Sequence, residues 1–172
     1  MRYANWYKCD ISNGNNVGVS LFVQGCPFHC KGCFNSETWD FNGGKPWTKE
    51  TIERFLSLAG KDYIKRVSIL GGEPLADQNV QDVKDLIKTI KNVYPDKKVW
   101  VYTGFNVADI LSGDNQTRKD VLNLADTIVD GRFEYDKRDL LIAFRGSRNQ
   151  HIYEHDDKGN LVSKESAYDE AI

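Results

Sequence analysis

A basic excess, a long apolar run and a cysteine framework are all missing from this sequence. Lys and Arg number 23 against 25 Asp and Glu, a formal net charge of −2. That balance offers no polyanion-binding surface, so nucleic acid is not expected as a partner. No stretch approaches the ~18 apolar residues of a membrane span, and Met1–Asp10 lacks the apolar core of a signal peptide. No membrane association is expected, and the location is expected to be cytoplasmic. Cysteines number four, and three of them, Cys26, Cys30 and Cys33, fall within eight positions. This is a poor disulfide framework and a good metal-ligand set for a reducing compartment. With 40% hydrophobic and 12% aromatic residues, the chain can fill one core and not two. Residues 1–172 read as a single domain, with the charged segment 156–172 as a loosely held tail.

What is present is an alternation of short β-branched runs with amphipathic stretches. Val17–Gln24 reads as a buried strand between the turn-forming Asn13-Gly14-Asn15-Asn16 and Gly25. Thr48 opens a helix carrying Ile52, Phe55, Leu56 and Leu58 and ending near Gly60. Arg66–Leu70 is a second strand, followed by a helix from Asn79 to Tyr94 with Val80, Val83, Leu86, Ile87 and Ile90 on one face. Lys98–Tyr102 and Thr127–Val129 make two further strands, separated by amphipathic stretches through Leu111 and from Arg118 to Leu124. The pattern predicts an α/β fold of about four parallel βα units, closed right-handedly into an open sheet or an incomplete barrel. A complete eightfold barrel needs about 250 residues. Chemistry in such a fold sits after the strand C-terminal ends, where the cysteines, Gly71-Gly72-Glu73-Pro74, Thr103-Gly104 and Asp130-Gly131 all fall. They are expected to converge.

Cys26, Cys30 and Cys33 place three thiolates with three and then two intervening residues, directly after a strand. A cubane iron–sulfur cluster has four corners, so a three-thiolate loop leaves one iron open to a substrate. The competing reading is a non-catalytic zinc-binding module with Cys9 or His29 as fourth ligand. His29 adjoins Cys30 and is badly placed to share its metal. It reads better as a solvated loop residue, and Cys9 as a small buried hydrophobe. Gly71-Gly72-Glu73-Pro74 taken alone is an ordinary turn at a strand end.

The cysteine spacing resembles that of the radical S-adenosylmethionine superfamily. The blocks Val19–Cys26, Gly32–Asn35, Ser68–Pro74, Val129–Phe133 and Phe144–Gln150 narrow the resemblance to its glycyl-radical activases, and within them to the activating proteins of anaerobic ribonucleoside-triphosphate reductases. The first block is shared with other activases, such as that of pyruvate formate-lyase; Asp130–Phe133 and Arg145–Gln150 single out the reductase activases. Asn16 stands where relatives often carry glycine, and Asn is the residue that best replaces glycine in a left-handed turn.

The resemblance implies an incomplete parallel β/α barrel of the radical S-adenosylmethionine type. It implies a 4Fe-4S cluster on Cys26, Cys30 and Cys33, and reductive cleavage of S-adenosylmethionine to methionine and a 5'-deoxyadenosyl radical. Gly32, Cys33, Phe34, Gly71, Gly72, Glu73, Pro74, Tyr102, Thr103 and Asp130 are the expected cofactor-binding positions, with Phe34 against the adenine and the glycine loop against the methionine amino group. The expected partners are the large glycyl-radical subunit of the reductase and reduced flavodoxin or a similar electron donor. Arg132, Arg145 and Arg148 border the expected cleft, and their roles stay open between partner and cofactor carboxylates.

Overall fold

The structure, a computed structural model, describes residues 1–171. Along the chain run β1 (Arg2–Asp10), β2 (Gly18–Val23), β3 (Lys45–Pro46), α1 (Lys49–Ala59), β4 (Arg66–Gly71), α2 (Val80–Val93) and β5 (Lys98–Tyr102). There follow α3 (Val107–Ser112), α4 (Gln116–Leu124), β6 (Thr127–Asp130), β7 (His151–His155), β8 (Leu161–Ser163) and α5 (Glu165–Asp169). The strands form one eight-stranded sheet in the order β3-β1-β2-β4-β5-β6-β7-β8. Its centre, β2-β4-β5-β6, is parallel, and antiparallel strands extend both sides. The fold is therefore mixed α/β, with the four strands expected from the sequence at its middle. Among the described residues no helix is long and apolar enough to cross a membrane.

The two faces of the sheet differ because side chains alternate along each strand. Val19, Leu21, Val67, Ile69, Val99, Val101 and Ile128 point to the helical layer and are fully buried there. Helix α2 meets them with Val83, Leu86, Ile87 and Ile90, the one-sided spacing that the sequence shows. Helix α1 starts where Thr48 Oγ1 accepts from Thr51 N at 3.3 Å and buries Phe55 and Ala59. Truncating one such core side chain to Ala costs about 2–5 kcal/mol. The register puts Ser20 beside Ser68, Phe22 beside Leu70, Ser68 beside Trp100 and Tyr102 beside Val129 on the opposite face. That face is polar and aromatic. Trp100 packs there with Val129, Ile152, Phe144 and Tyr168.

The outer strands escaped the sequence reading for physical reasons. Strand β1 changes register between Tyr3 and Asn5 and again between Tyr7 and Asp10, which destroys the period of two. Strand β7 buries only Ile152 fully. The segment 156–172 carries β8 and α5 in its described part. Tyr168 of α5 lies edge-on to Trp100 with ring centroids 5.5 Å apart. Cys9, expected to be buried, is exposed on β1.

Arg66 fixes the β1–β2 connection. Its side chain is buried with that of Asp10 and lies 3.3 Å from the Asp10 carboxylate. It also donates to the carbonyls of Asn13, Asn15 and Asp10 at 2.7, 3.0 and 2.7 Å. Burial acts to raise the Asp10 carboxyl, but hydrogen bonds from Ser20, Ser12 and Asn13 and the Arg66 charge hold it below its ordinary value. Asn16 takes φ +61°, so the turn expected of it is kept.

Candidate functional site

Because β2, β4, β5 and β6 run parallel, their C-terminal ends share one edge of the sheet. The loops leaving them line a cavity of about 550 Å³ over the polar face. Cys26, Cys30 and Cys33 come from the β2 loop, Gly71, Gly72 and Glu73 from the β4 loop, Tyr102 and Thr103 from the β5 end, and Gly131 and Arg132 from the β6 loop. Phe34 lines the same cavity and is 61% exposed, tilted against Phe133 at 5.2 Å. The convergence expected from strand order is thus present. Gly32, Pro74 and Asp130, also expected at the cofactor, are not on its lining.

The cysteine loop is pinned at both ends. Gly25 N donates to Thr38 O at 2.7 Å, Cys26 N to Trp39 O at 3.0 Å, and Cys33 N to Cys30 O at 3.1 Å. His29 takes φ +47°, and its ring stacks on Trp39 at 4.5 Å. All three thiols are free and partly buried. Burial pushes the Cys26 thiol up, offset in part by the N–H groups of Phe28 and His29. Burial also pushes up Cys30, helped by Cys33 and opposed by the Phe133 N–H and Arg132. Three thiols on one wall with no fourth protein ligand fit a group that keeps one position open.

Gly71 and Gly72 are glycines because the neighbouring chain leaves no room. Gly71 takes φ +103°, and a Cβ there would lie 2.7 Å from Phe22 Cα. At Gly72 a Cβ would fall 2.9 Å from the carbonyl carbon of Gly25, next to Cys26. Gly72 N donates to Val23 O at 2.9 Å and Glu73 N to Gly25 O at 2.8 Å, so the glycine loop is laced to the base of the cysteine loop. Both glycines also line the cavity.

The Glu73 carboxylate is buried and fully engaged. It accepts from Leu75 N at 2.8 Å, Thr103 Oγ1 at 2.7 Å and Gly104 N at 2.7 Å. Burial raises it to about 7 against those hydrogen bonds, which act to lower it. Gly104 packs against the Phe28 ring, and the Phe28 ring meets Phe105 at 4.8 Å. The sequence reading missed Phe28; an aromatic between Cys26 and Cys30 was its only signal. Asp130 takes a structural position: Oδ2 accepts from Val107 N at 2.8 Å at the start of α3, and Oδ1 sits 3.2 Å from His151 Nδ1.

The arginines separate by environment. The Arg145 side chain is 4% exposed and pairs with Asp169 of α5, while that of Arg148 is 69% exposed and pairs with Asp139. Arg132 lies over the Phe28 ring at 4.3 Å. Tyr102 and Trp39 each bring a buried polar group without a protein partner to the cavity's lining residues, the Tyr102 hydroxyl and Trp39 Nε1, and burial pushes the Tyr102 phenol far up. A buried hydroxyl without a partner is a place for a polar ligand atom.

Residues 12–153 match the family model of a 4Fe-4S single cluster domain. Curated relatives carry the name anaerobic ribonucleoside-triphosphate reductase-activating protein. The Salmonella typhi protein is 38% identical over 155 residues, 89% of this chain and 98% of the relative. The protein of Escherichia coli strain K12 is 37% identical with the same coverage. That of Enterobacteria phage T4 is 34% identical over 157 residues, 91% of this chain and 96% of the relative. With a cavity walled by three free thiols and a similarity that covers about nine-tenths of the chain, the chain belongs to the 4Fe-4S single cluster domain family and, within it, to the anaerobic ribonucleoside-triphosphate reductase-activating proteins.

Proposed function

We propose that this chain, as one domain, activates an anaerobic ribonucleoside-triphosphate reductase by generating a glycyl radical on its large subunit. The observation that carries the reading is the placement of Cys26, Cys30 and Cys33 on one wall of a cavity that the β4, β5 and β6 loops complete. The three thiolates hold a 4Fe-4S cluster. The chemistry that such a cluster would supply is the one-electron reductive cleavage of S-adenosylmethionine to methionine and a 5'-deoxyadenosyl radical, which would take one hydrogen atom from a glycine α-carbon. The parallel strands with helices on one face and the cavity at their C-terminal ends support reading the fold as an incomplete barrel of the radical S-adenosylmethionine type.

The protein's own residues supply position. Glu73 holds the Thr103-Gly104 loop against the glycine loop. The Tyr102 hydroxyl offers a polar contact on the cavity lining. Phe34 stands at the exposed side of the cavity, where it shields a bound ligand from water. Gly32 and Pro74 shape the two loops, and Asp130 shapes the β6 end. Reduced flavodoxin or a similar one-electron donor feeds the cluster, and the closely spaced free cysteines suit a cytoplasmic setting. The test is anaerobic reconstitution with iron and sulfide, then addition of S-adenosylmethionine, a strong reductant and the reductase subunit. The expected products are 5'-deoxyadenosine and a paramagnetic doublet that narrows when the subunit carries α-deuterated glycine. A diamagnetic subunit alongside continuing cleavage would remove the assignment to the reductase.

A further inference from the structure

Two leucines stand in water beside the cavity. Leu140 is 76% and Leu141 84% exposed, the highest values among the exposed large hydrophobics of the described residues. Leu140 and Ile142 line the cavity, so this apolar rim is continuous with the site. The rim is braced. Leu141 N donates to Asp139 Oδ1 at 2.8 Å, Asp139 N to Gly146 O at 3.2 Å and Ala143 N to Asp169 Oδ1 at 2.9 Å. Arg145 ties the same segment to Asp169, and Arg148 ties it to Asp139. A segment held by two ion pairs and a set of backbone bonds is presenting its leucines, because nothing in its own packing needs them outside.

Arg132 shares the cavity lining with Leu140, and Arg138 precedes Leu140 by two residues. Lys31 and Arg138 each lie over the Tyr135 ring, 5.4 and 4.8 Å from its centroid, and Arg132 lies over Phe28 at 4.3 Å. None of the three has a carboxylate within salt-bridge distance among the described residues. A fixed apolar ridge flanked by unpaired cations is complementary to an apolar segment with carboxylates beside it.

We infer that the ridge Leu140-Leu141, with Lys31, Arg132 and Arg138 around it, is the docking surface for the glycine-bearing loop of the reductase subunit, gripping apolar residues next to the glycine and acidic residues flanking them. The inference rests on the function proposed above and adds the place and chemistry of recognition. Glycine has no side chain to be held by, so a loop that delivers a glycine α-carbon must be recognised through its neighbours. The ridge lies where those neighbours pass on the way into the cavity.

The experiment uses the reconstituted full chain carrying Leu141→Ser, Arg138→Glu, or both, with Leu111→Ser on α3 as a control at an exposed leucine elsewhere. Leu141 and Arg138 are off the cavity lining, so cofactor cleavage without the subunit should equal that of the unaltered protein, which also shows that the variants fold. Affinity for the reductase subunit and the radical yield on it should fall tenfold or more in the double variant and stay unchanged in the control. A photoreactive group attached at Leu141→Cys, in a chain also carrying Cys9→Ser, should cross-link to the glycine-bearing region of the subunit. If the double variant binds and activates like the unaltered protein, or the cross-link maps elsewhere, the docking surface is wrong while the function stands. If the unaltered protein forms no radical on the subunit, the function itself fails and the inference with it.

Discussion

The Thr103 hydroxyl donates to Glu73 Oε1 at 2.7 Å, joining the loop after β5 to the loop after β4 across 30 residues of sequence. Gly104 N completes the grip on the other carboxylate oxygen at 2.7 Å. Two loops that each border the cavity are thereby held as one unit by a carboxylate with no exposure to water.

The burial of this carboxyl, which outweighs the hydrogen bonds to it, makes stability depend on pH. Burial raises the Glu73 carboxyl to about 7 from an ordinary 4.5. Between those values the folded chain keeps a proton that the unfolded chain has released, so stability is greatest below pH 4.5 for this group and falls as pH rises to about 7. The contribution is roughly 3 kcal/mol at about 1.4 kcal/mol per pH unit. In the cluster-free protein, Glu73→Gln should flatten the slope of urea-denaturation stability against pH across that window. An unchanged slope would assign it to other groups.

Cys26→Ala, Cys30→Ala and Cys33→Ala should each lose the cluster's visible absorbance and S-adenosylmethionine cleavage together, while Cys9→Ser, at an exposed position on β1, should keep both. Because burial pushes the Cys26 and Cys30 thiols up, cluster assembly must release their protons and should proceed further at pH 8.5 than at pH 7 in a timed reconstitution. A flat pH dependence would mean that the thiols are already ionised.

Gly72→Ala should lower iron content as well as cofactor binding. The new Cβ meets the Gly25 backbone beside Cys26 rather than open cavity, so the strain passes to a cluster ligand. Normal iron with weakened S-adenosylmethionine binding, measured by equilibrium dialysis, would show instead that only the cofactor is touched.

Arg66→Met leaves the Asp10 carboxylate buried without its partner and cuts the ties to three backbone carbonyls. The loss should be about 3–5 kcal/mol, read from urea denaturation. Adding Asp10→Asn removes the stranded charge and should recover part of it.

Asp169→Ala should free both Ala143 N and Arg145 in one step. Faster amide exchange across Asp139–Gly146 with little change in the central strands would place α5 as a brace of the rim. Unchanged exchange would remove that role.

The central strands, the helices α1 and α2 and the identity of the cysteine loop were legible in the sequence, because each rests on a local pattern: β-branched runs, apolar residues at helical spacing, and thiols a few positions apart. Strand order then placed the four chemical loops on one edge. What only the tertiary structure decided depends on long-range pairing. β1 hides behind two register shifts, and β7 and β8 are held chiefly by their neighbours. Glu73 lines the cavity, as expected of a residue near a cofactor, and its tie to Thr103 could not be read locally, since that partner is chosen by the parallel register and not by any nearby residue. In the described part of 156–172 the charge is a local pattern, whereas the contacts of Tyr168 with Trp100 and of Asp169 with Arg145 come from residues brought near by folding. Local pattern fixes which elements form; burial and pairing between distant residues fix what each side chain is for.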